Sequence, residues 1–270
     1  MKLEQSKLLF PILLIIIFLA FQSCATTGPG GKKSLILISS NQEVAIGQEL
    51  NQELQQSEKW LDDPEWQAYI NEMGQKIVAV SDRKDIEYKF AVIESDQINA
   101  FAAPGGFVFF YTGLIKKMDN EAELAAVMAH EISHVVGRHS IKSLQSVMGL
   151  SLVLDLALGE KSDQTKALAG TALGIVMSGY SRSNEHEADD FGLTYMVRAG
   201  WNPDGMLSMF EKLRVMNNDD NAGFFEMLAS SHPQTSDRIS STRERIKKLG
   251  ELPSNLTLNS QKFNNLKNRL

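Results

Sequence analysis

Hydrophobic and polar residues follow a helical period along most of this chain. The apolar positions of residues 41–56 and 62–78 recur at the spacing of an amphipathic helix. Two short segments instead combine aromatic and β-branched residues, and they predict strands at 88–94 and 107–111. The pattern therefore predicts a mainly helical chain with a small sheet. Further helices are predicted at 180–199, 203–216 and 236–249.

The segment from Asn120 to Val136 carries the pattern of a buried helix. Asn120 and Glu123 have the spacing of a capping box, in which two side chains satisfy the first backbone N–H groups. The apolar positions that follow keep helical spacing: Leu124, Val127, Met128, Ile132, Val135 and Val136. The run HEISH, at residues 130–134, therefore lies within a largely buried helix.

Two apolar, Gly/Ala-rich segments come next, at 146–158 and 167–177, with a polar turn between them. Each is shorter than the roughly 20 apolar residues that a membrane-spanning helix needs. We therefore expect a helical hairpin here, and no membrane span.

The first 40 residues have the order of parts found in a secretory signal. Lysines precede an apolar run that ends at Phe21, which is too short to span a bilayer comfortably. The following FQSC resembles the lipobox of bacterial lipoproteins, which implies cleavage before Cys24 and lipidation of that residue. Phe21 and Gln22 depart from the commonest lipobox, and an uncleaved signal anchor is the alternative. We expect a signal peptide at 1–23 and a Gly-rich tether at 24–40.

Composition narrows the possible functions. The 270 residues are 43% hydrophobic, which is enough for one sizeable core or two small ones. A net charge of −6, without clustered Lys and Arg, argues against a nucleic-acid partner. Cys24 is the only cysteine in the sequence, so no disulfide within the chain stabilises it. We expect the folded domain at 41–250 and a C-terminal tail at 251–270.

Three of the five histidines lie in HEISHVVGRH, residues 130–139. Residues four apart on an α-helix differ by about 40° around its axis, so His130 and His134 can bind one ion. Glu131 is offset by roughly 60–100°, beside the ion, which suits a general base. His139 lies about 180° from His130 on an unbroken helix, and we interpret it as structural. Surface charge pairs can also produce this motif, but its uncharged neighbours favour a buried metal site.

A third ligand must come from elsewhere, because a catalytic zinc usually has three protein ligands and one open position. The candidates lie in SRSNEHEADDFG, residues 181–192. Glu185 and Asp189 share a helix face, from which the first can bind the ion and the second can accept a bond from a ligand histidine. His186 and Glu187 turn away from that face. An acidic helix face exposed to solvent is the alternative.

The pair HEISHVVGRH and SRSNEHEAD resembles the gluzincin peptidases that include HtpX and the CAAX prenyl proteases. In that family HExxH lies on one helix and ExxAD on a later one. QEVAIGQEL, DDPEWQAYIN, INAFAAPGGFVFFYTGLI and SSHPQTSDRI are further landmarks, so the resemblance covers residues 42 to about 249. It implies an α+β fold, a mainly helical zincin-like metallopeptidase domain with a small antiparallel β-sheet beside the HExxH helix. Without long apolar spans, the chain is similar to the soluble periplasmic lipoprotein branch.

The resemblance also assigns residues to the site. It implies one Zn²⁺ per chain, held by His130, His134 and Glu185. It implies that His232 and Arg238 lie near the zinc and stabilise the oxyanion of the tetrahedral intermediate. In some members of the branch the histidine takes the open zinc position instead and holds the enzyme inactive. A helix-capping histidine and a surface arginine are the alternatives from the residues alone.

The function that these features imply is zinc-dependent endopeptidase activity in the bacterial cell envelope. Ala25 after the lipidated cysteine suggests an outer-membrane lipoprotein facing the periplasm, held in the membrane by its lipid anchor. The expected partners are unfolded or misfolded envelope polypeptides. A zinc-containing chaperone or assembly factor for outer-membrane proteins is the alternative, although a binder that does not cut has no need of Glu131. We expect substrates to pair as an added strand beside the segment Phe107, Val108, Phe109, Phe110 and Tyr111, whose alternative role is plain core.

Overall fold

The computed structural model describes residues 24–26, 29–31, 33–158, 162–217, 232 and 236–270, and the predicted signal peptide lies outside them. Helices dominate, and none in this described part is both long and apolar enough to cross a membrane. The strands are β1 (Cys24–Thr26), β2 (Lys33–Leu35), β3 (Lys89–Ile93), β4 (Ala100–Ala103) and β5 (Phe107–Tyr111). The helices are α1 (Ser40–Ser57), α2 (Pro64–Val80), α3 (Thr112–Lys117), α4 (Glu121–Val136), α5 (His139–Leu158), α6 (Ser162–Ser178), α7 (Arg182–Arg198), α8 (Asp204–Asn217), α9 (Ser236–Lys248) and α10 (Gln261–Lys267).

The helix that carries HEISH begins where its capping residue predicts. The Asn120 side chain accepts a bond from the Glu123 backbone N–H at 3.0 Å. The Glu123 carboxylate accepts a bond from the Asp119 N–H at 2.8 Å, one residue earlier than a capping box requires. Every residue of α4 is buried. The helix therefore crosses the interior of the protein, as its apolar pattern predicts.

The α+β fold class is confirmed, but the sheet is mixed rather than antiparallel. Its strand order is β3-β5-β4, so β5 is the central strand. β4 and β5 form an antiparallel pair joined by the turn Pro104–Gly106, in which Gly105 and Gly106 have positive φ angles of 76° and 92°. β3 runs parallel to β5, because the chain crosses from β3 to the far edge of the sheet before it returns.

Both faces of this sheet are covered by helices, which explains its apolar sequence. Alternate residues point to opposite sides of a strand, and here each side enters a separate core. One core contains Phe90, Val92, Val108 and Phe110 with residues of α2, α4, α7 and α8. The other core contains Ile93, Phe101, Phe107 and Phe109 with residues of α1, α5 and α6. The strand β5 is thus buried on both faces, and α4 lies beneath the first of them.

The segments expected to flank the domain contribute to its cores. Ile36 and Ile38, assigned to the tether, are buried in the second core. Phe263 and Leu266, assigned to the tail, are buried in the first core, and the Leu266 carbonyl accepts a bond from Trp66 Nε1 at 2.9 Å. These four residues therefore pack with the helical body.

Candidate metal centre

The two histidines of HEISH direct their Nε2 atoms into the same space. One turn of α4 separates His130 from His134, and the two Nε2 atoms lie 3.0 Å apart. Both side chains are buried. The helix therefore presents two imidazole nitrogens at one point, the arrangement that the four-residue spacing predicts.

Glu185 and His232 join this cluster from other parts of the chain. Glu185 lies in the first turn of α7, with Oε1 3.4 Å from His134 Nε2 and Oε2 3.5 Å from His130 Nε2. His232 Nδ1 lies 3.2 Å from His130 Nε2 and 3.1 Å from Glu185 Oε1. One ligand atom from each of the four residues lies within 4.8 Å of the others. The predicted three ligands are thus brought together, with His232 as a fourth member.

The geometry and chemistry of this cluster fit a metal ion. The ligands of a tetrahedral zinc ion lie about 3.3–3.6 Å apart, given bonds of roughly 2.0–2.2 Å. The five distances described above run from 3.0 to 3.5 Å and are close to that spacing. Imidazole nitrogen and carboxylate oxygen are ligands that suit zinc. The cluster can therefore hold a metal ion with four protein ligands.

Asp189 and Arg238 form a charged pair behind the cluster. Asp189 Oδ1 lies 3.0 Å from His130 Nδ1. Arg238, on α9, donates from Nε to Asp189 Oδ2 at 2.8 Å and from Nη2 to Oδ1 at 2.7 Å. Its Nη1 lies 3.1 Å from Glu185 Oε2. Arg238 is only 2% exposed, so it is not the surface arginine that the sequence left open, and it contacts two carboxylates of the site.

The charge of Arg238 keeps its partner ionised. Burial alone would raise the pKa of Asp189, but the adjacent guanidinium outweighs burial and lowers that pKa to about 2. Burial would likewise raise the pKa of Glu185, and the neighbouring His232, His130 and His134 hold it well below its usual value. Both carboxylates are therefore anionic at neutral pH.

The two histidines of α4 differ in their proton affinity. Burial alone would lower the pKa of His130, but Asp189 and Glu185 outweigh burial and raise it to about 9. Burial holds the pKa of His134 well below its usual value, despite its contact with Glu185. A cation at the cluster would displace the proton that His130 holds in its absence.

Glu131 lies beside the ligand cluster and outside it. Its Oε1 is 3.4 Å from His232 Nε2, and its carboxylate interacts with the backbone of Ala102 on β4. Burial raises the pKa of Glu131, and the nearby histidines oppose this increase. Glu131, His130, His232 and Arg238 line one small cavity with apolar residues of α8. The carboxylate thus faces the same cavity as two residues of the ligand cluster.

His139 is much closer to the cluster than an unbroken helix allows. α4 ends at Val136, Arg138 adopts a left-handed φ of 51°, and α5 begins at His139. The His139 Nδ1 atom consequently lies 2.8 Å from His134 Nδ1. His139 is not among the four clustered residues, in keeping with its interpretation as structural, but the helix break brings it beside His134. Gly137 is the signal in the sequence for this helix break.

The strand expected to receive the substrate has no open edge. β5 pairs with β3 on one side and with β4 on the other, and Phe107, Val108, Phe109, Phe110 and Tyr111 are all buried. A peptide cannot add to a strand whose two edges are occupied. The structure therefore contradicts this expectation and supports the alternative, in which the aromatic segment is core.

Cys24 lies at the start of the described residues and far from the cluster in sequence. It forms the first residue of β1, where it pairs with Leu35 of β2. Its lipidation remains a prediction from the sequence.

Comparison with known proteins places the chain in a family. The model of peptidase family M48 matches residues 64–246. The β-barrel assembly-enhancing protease of Escherichia coli (strain K12) is 32% identical in an alignment of 245 residues that covers 85% of this chain and 49% of that protein. The mitochondrial metalloendopeptidase OMA1 of Schizosaccharomyces pombe is 32% identical over 184 residues, 68% of this chain and 52% of that protein. The metalloprotease LoiP of Escherichia coli is 31% identical over 167 residues, 60% of this chain and 63% of that protein.

The chain spans about half the length of the first two of these curated relatives, 49% of the E. coli protease and 52% of OMA1. The match to the family model includes α4 and α7, which carry HExxH and ExxAD. The resemblance to gluzincin peptidases is confirmed, and the chain belongs to peptidase family M48, a family of metallopeptidases.

Proposed function

We propose that this chain is a zinc-dependent endopeptidase of the bacterial cell envelope. One observation carries the proposal: the buried carboxylate of Glu131 lies beside a four-residue cluster whose spacing fits zinc. A purely structural zinc site does not need such a carboxylate outside its ligand set. His130, His134 and Glu185 would hold the ion, and His232 would occupy its fourth position.

The chain's own residues provide the proton transfers of peptide hydrolysis. A bound zinc ion supplies Lewis acidity, which polarises the scissile carbonyl and lowers the pKa of the attacking water. Glu131 takes a proton from that water and returns it to the leaving amine. The raised pKa of Glu131 suits both steps, because a base closer to neutrality also serves as an acid. Asp189 contacts His130 Nδ1, the ring nitrogen that faces away from the ion position, and Arg238 donates a hydrogen bond to Asp189.

The substrate is proposed to bind along β4 instead of β5. In the described part of the sheet, β4 pairs on one side only, with β5. The Asn99 carbonyl accepts a bond from the Tyr111 N–H at 3.0 Å. Hydrogen-bonded and non-hydrogen-bonded residues alternate along an antiparallel pair, so the N–H and C=O groups of Ala100 and Ala102 point away from β5. Because the Ala102 backbone already interacts with the Glu131 carboxylate, an extended peptide that pairs with β4 at Ala100 would lie next to Glu131. Backbone pairing would accept many sequences.

His232 gives the site a proposed resting form. Its Nδ1 lies in the ligand cluster while its Nε2 lies 3.4 Å from Glu131 Oε1. It thus stands between the ion position and the general base, where the attacking water must be. We propose that His232 leaves this position when a substrate binds, and that it can then stabilise the oxyanion together with Arg238.

The proposed substrates are unfolded or unassembled envelope polypeptides. A relative whose printed name is β-barrel assembly-enhancing protease supports this class, since that name joins proteolysis to the assembly of β-barrel proteins. The predicted lipid on Cys24 would hold the enzyme at the outer membrane, facing the periplasm. Loss of labelled palmitate incorporation in Cys24→Ala tests the anchor. That name is also compatible with the second candidate function, an assembly factor with little proteolytic activity.

The test compares wild type, Glu131→Gln and Glu53→Gln, the last on an exposed part of α1. Zinc content and hydrolysis of unfolded casein are measured on each. We expect Glu131→Gln to keep its zinc and to lose about 10²–10⁴-fold in hydrolysis, because a general base contributes roughly that factor. Glu53→Gln should match wild type. Undiminished hydrolysis by Glu131→Gln would exclude the proposed mechanism, and prevention of aggregation without cleavage by wild type would favour the assembly factor.

A further inference from the structure

His139 lies fully buried against the face of His134 that points away from the ligand cluster. His134 Nε2 faces the cluster, 3.4 Å from Glu185 Oε1. Its other nitrogen, Nδ1, lies 2.8 Å from His139 Nδ1. Two nitrogens at this distance share one hydrogen, so one ring donates and the other accepts.

The direction of this bond follows from the role of each nitrogen. A histidine that binds a metal through Nε2 keeps its proton on Nδ1, so His134 is the donor. His139 must then accept with the lone pair of Nδ1 and carry its own proton on Nε2. Glu187 Oε1 lies 3.7 Å from that Nε2. A carboxylate in this position favours the tautomer that the bond requires, because it attracts the N–H end of the ring.

The turn between α4 and α5 holds His139 in this place. Arg138, at a φ of 51°, donates from Nε to Glu43 Oε2 at 2.7 Å and from Nη2 to the Ile38 carbonyl at 2.7 Å. A Cβ atom at Gly137 would come within 2.3 Å of His139 Nε2, so a glycine is needed there. These contacts order a strained turn, and the result is the approach of His139 to His134.

The Nδ1 atoms of the two α4 histidines, which face away from the cluster, thus have different partners. His130 Nδ1 meets the carboxylate of Asp189 directly, at 3.0 Å. His134 Nδ1 meets a second imidazole, and the carboxylate of Glu187 lies beyond it. Glu187 and Asp189 lie on α7, two and four residues after Glu185. The same helix therefore supplies one ligand and both of the acidic groups behind the ligand histidines.

We propose that His139 is a positioning residue for the metal centre, which accepts the Nδ1 proton of His134 while Glu187 holds the required tautomer of His139. This inference rests on the proposed function, because it takes His134 to be a metal ligand. Groups that hold ligand histidines typically change metal affinity by about 10–100-fold when they are removed. His139, although outside the ligand set, should therefore control how tightly His134 binds the ion.

The experiment compares His139→Leu with His139→Asn in the full-length protein. Leucine fills the space but accepts no bond, whereas the asparagine Oδ1 takes the place of the imidazole Nδ1 and can accept one. The affinity for Zn²⁺ is measured by competition with a chromophoric chelator, and the visible spectrum of the Co²⁺-loaded protein reports the ligand field. We expect His139→Leu to bind Zn²⁺ about 10–100-fold more weakly with an altered cobalt spectrum, and His139→Asn to recover most of both. His186→Leu and His186→Asn, on the same chain but outside the cluster, are the matched controls.

Equal Zn²⁺ affinity in His139→Leu, His139→Asn and wild type would overturn the proposal, as would equal losses in both His139 variants. His134→Ala distinguishes this failure from failure of the metal site itself. If His134→Ala also binds Zn²⁺ as wild type does, the proposed function is wrong. Should His139→Leu fail to fold, long-range ¹H–¹⁵N spectra of the wild-type Zn²⁺ form decide, since a proton on Nε2 of His139 supports the proposal and a proton on Nδ1 overturns it.

Discussion

The buried charges at the metal centre are paired with buried groups of opposite charge. Arg238 and Asp189 are 2% and 0% exposed, and a charge so far from water is costly unless a partner lies within bonding distance. The two bonds from Arg238 to Asp189, with a third contact to Glu185, provide that partner. Removal of Asp189 would leave the buried Arg238 with its contact to Glu185, and removal of Arg238 would leave the buried Asp189 with its contact to His130.

Asp189→Asn should destabilise the metal-free protein by about 3–5 kcal/mol at pH 7, because it leaves the buried guanidinium with one carboxylate fewer. The pH dependence should also change. The pKa of Asp189 falls from 3.8 to about 2 in the folded state, so its stabilisation is present above about pH 4 and is lost as the pH falls towards 2. Urea unfolding at pH 7, 4 and 3 measures both effects.

Asp190→Asn is the matched control on the neighbouring residue. Asp190 pairs with Arg245 on the surface, and its side chain is 42% exposed. Exposed pairs contribute about 0–1 kcal/mol, so this variant should lose little at any of the three pH values. Similar free energies of unfolding for the two variants would contradict the stabilising role assigned to the Asp189–Arg238 pair.

Helix α1 packs closely against the Pro104–Gly106 turn because residue 47 is a glycine. α1 crosses the Pro104–Gly106 turn, and a Cβ atom on Gly47 would come within 2.0 Å of the Pro104 carbonyl oxygen and 2.9 Å of the Phe107 ring. The obstructing oxygen belongs to the backbone, which cannot swing aside as a side chain can. α1 can therefore lie against the turn before β5 only if this position has no side chain.

Gly47→Ala should lower the free energy of unfolding by about 1–3 kcal/mol, the usual cost of overpacking in a core. Gly174→Ala provides the control, because α6 has nothing within 4 Å of the new methyl group. That substitution should raise stability by about 0.5–1 kcal/mol through helix propensity. Thermal and urea unfolding of both variants are compared with wild type, and changes of the same sign in the two would contradict the close approach of α1.

Elements specified by nearby residues were predictable, and elements specified by distant contacts were not. α4 follows from its cap at Asn120 and its apolar period, and the strand at Phe107–Tyr111 has the predicted bounds. β4 consists of the residues AFAA, which show no alternation, so it was not recognised as a strand. The left-handed turn at Arg138 depends on Glu43, 95 residues earlier, and a local pattern cannot contain that contact.

The metal centre is assembled from distant parts of the whole chain. α4 and α7 supply three of the clustered residues, His232 comes from the stretch between α8 and α9, and α9 supplies Arg238. The i, i+4 relation on one helix made His130 and His134 predictable, and it also linked Glu185 to Asp189. The arrangement of His232 has no such local signal, because its neighbour Glu185 lies 47 residues away.

His232, when it occupies the fourth ligand position, should lower the measured rate of peptide hydrolysis. If the resting form with His232 in the fourth position dominates, the competent form is a minor state, typically 0.1–10% of the population. His232→Ala should then raise the initial rate of casein hydrolysis at saturating Zn²⁺ by about tenfold or more, because it removes the competing imidazole. Three ligands remain, so the variant should still bind Zn²⁺. His186→Ala, a histidine outside the cluster, should leave the rate unchanged. A fall in rate for His232→Ala, with Zn²⁺ still bound, would show instead that the imidazole contributes more to the transition state than to the resting form.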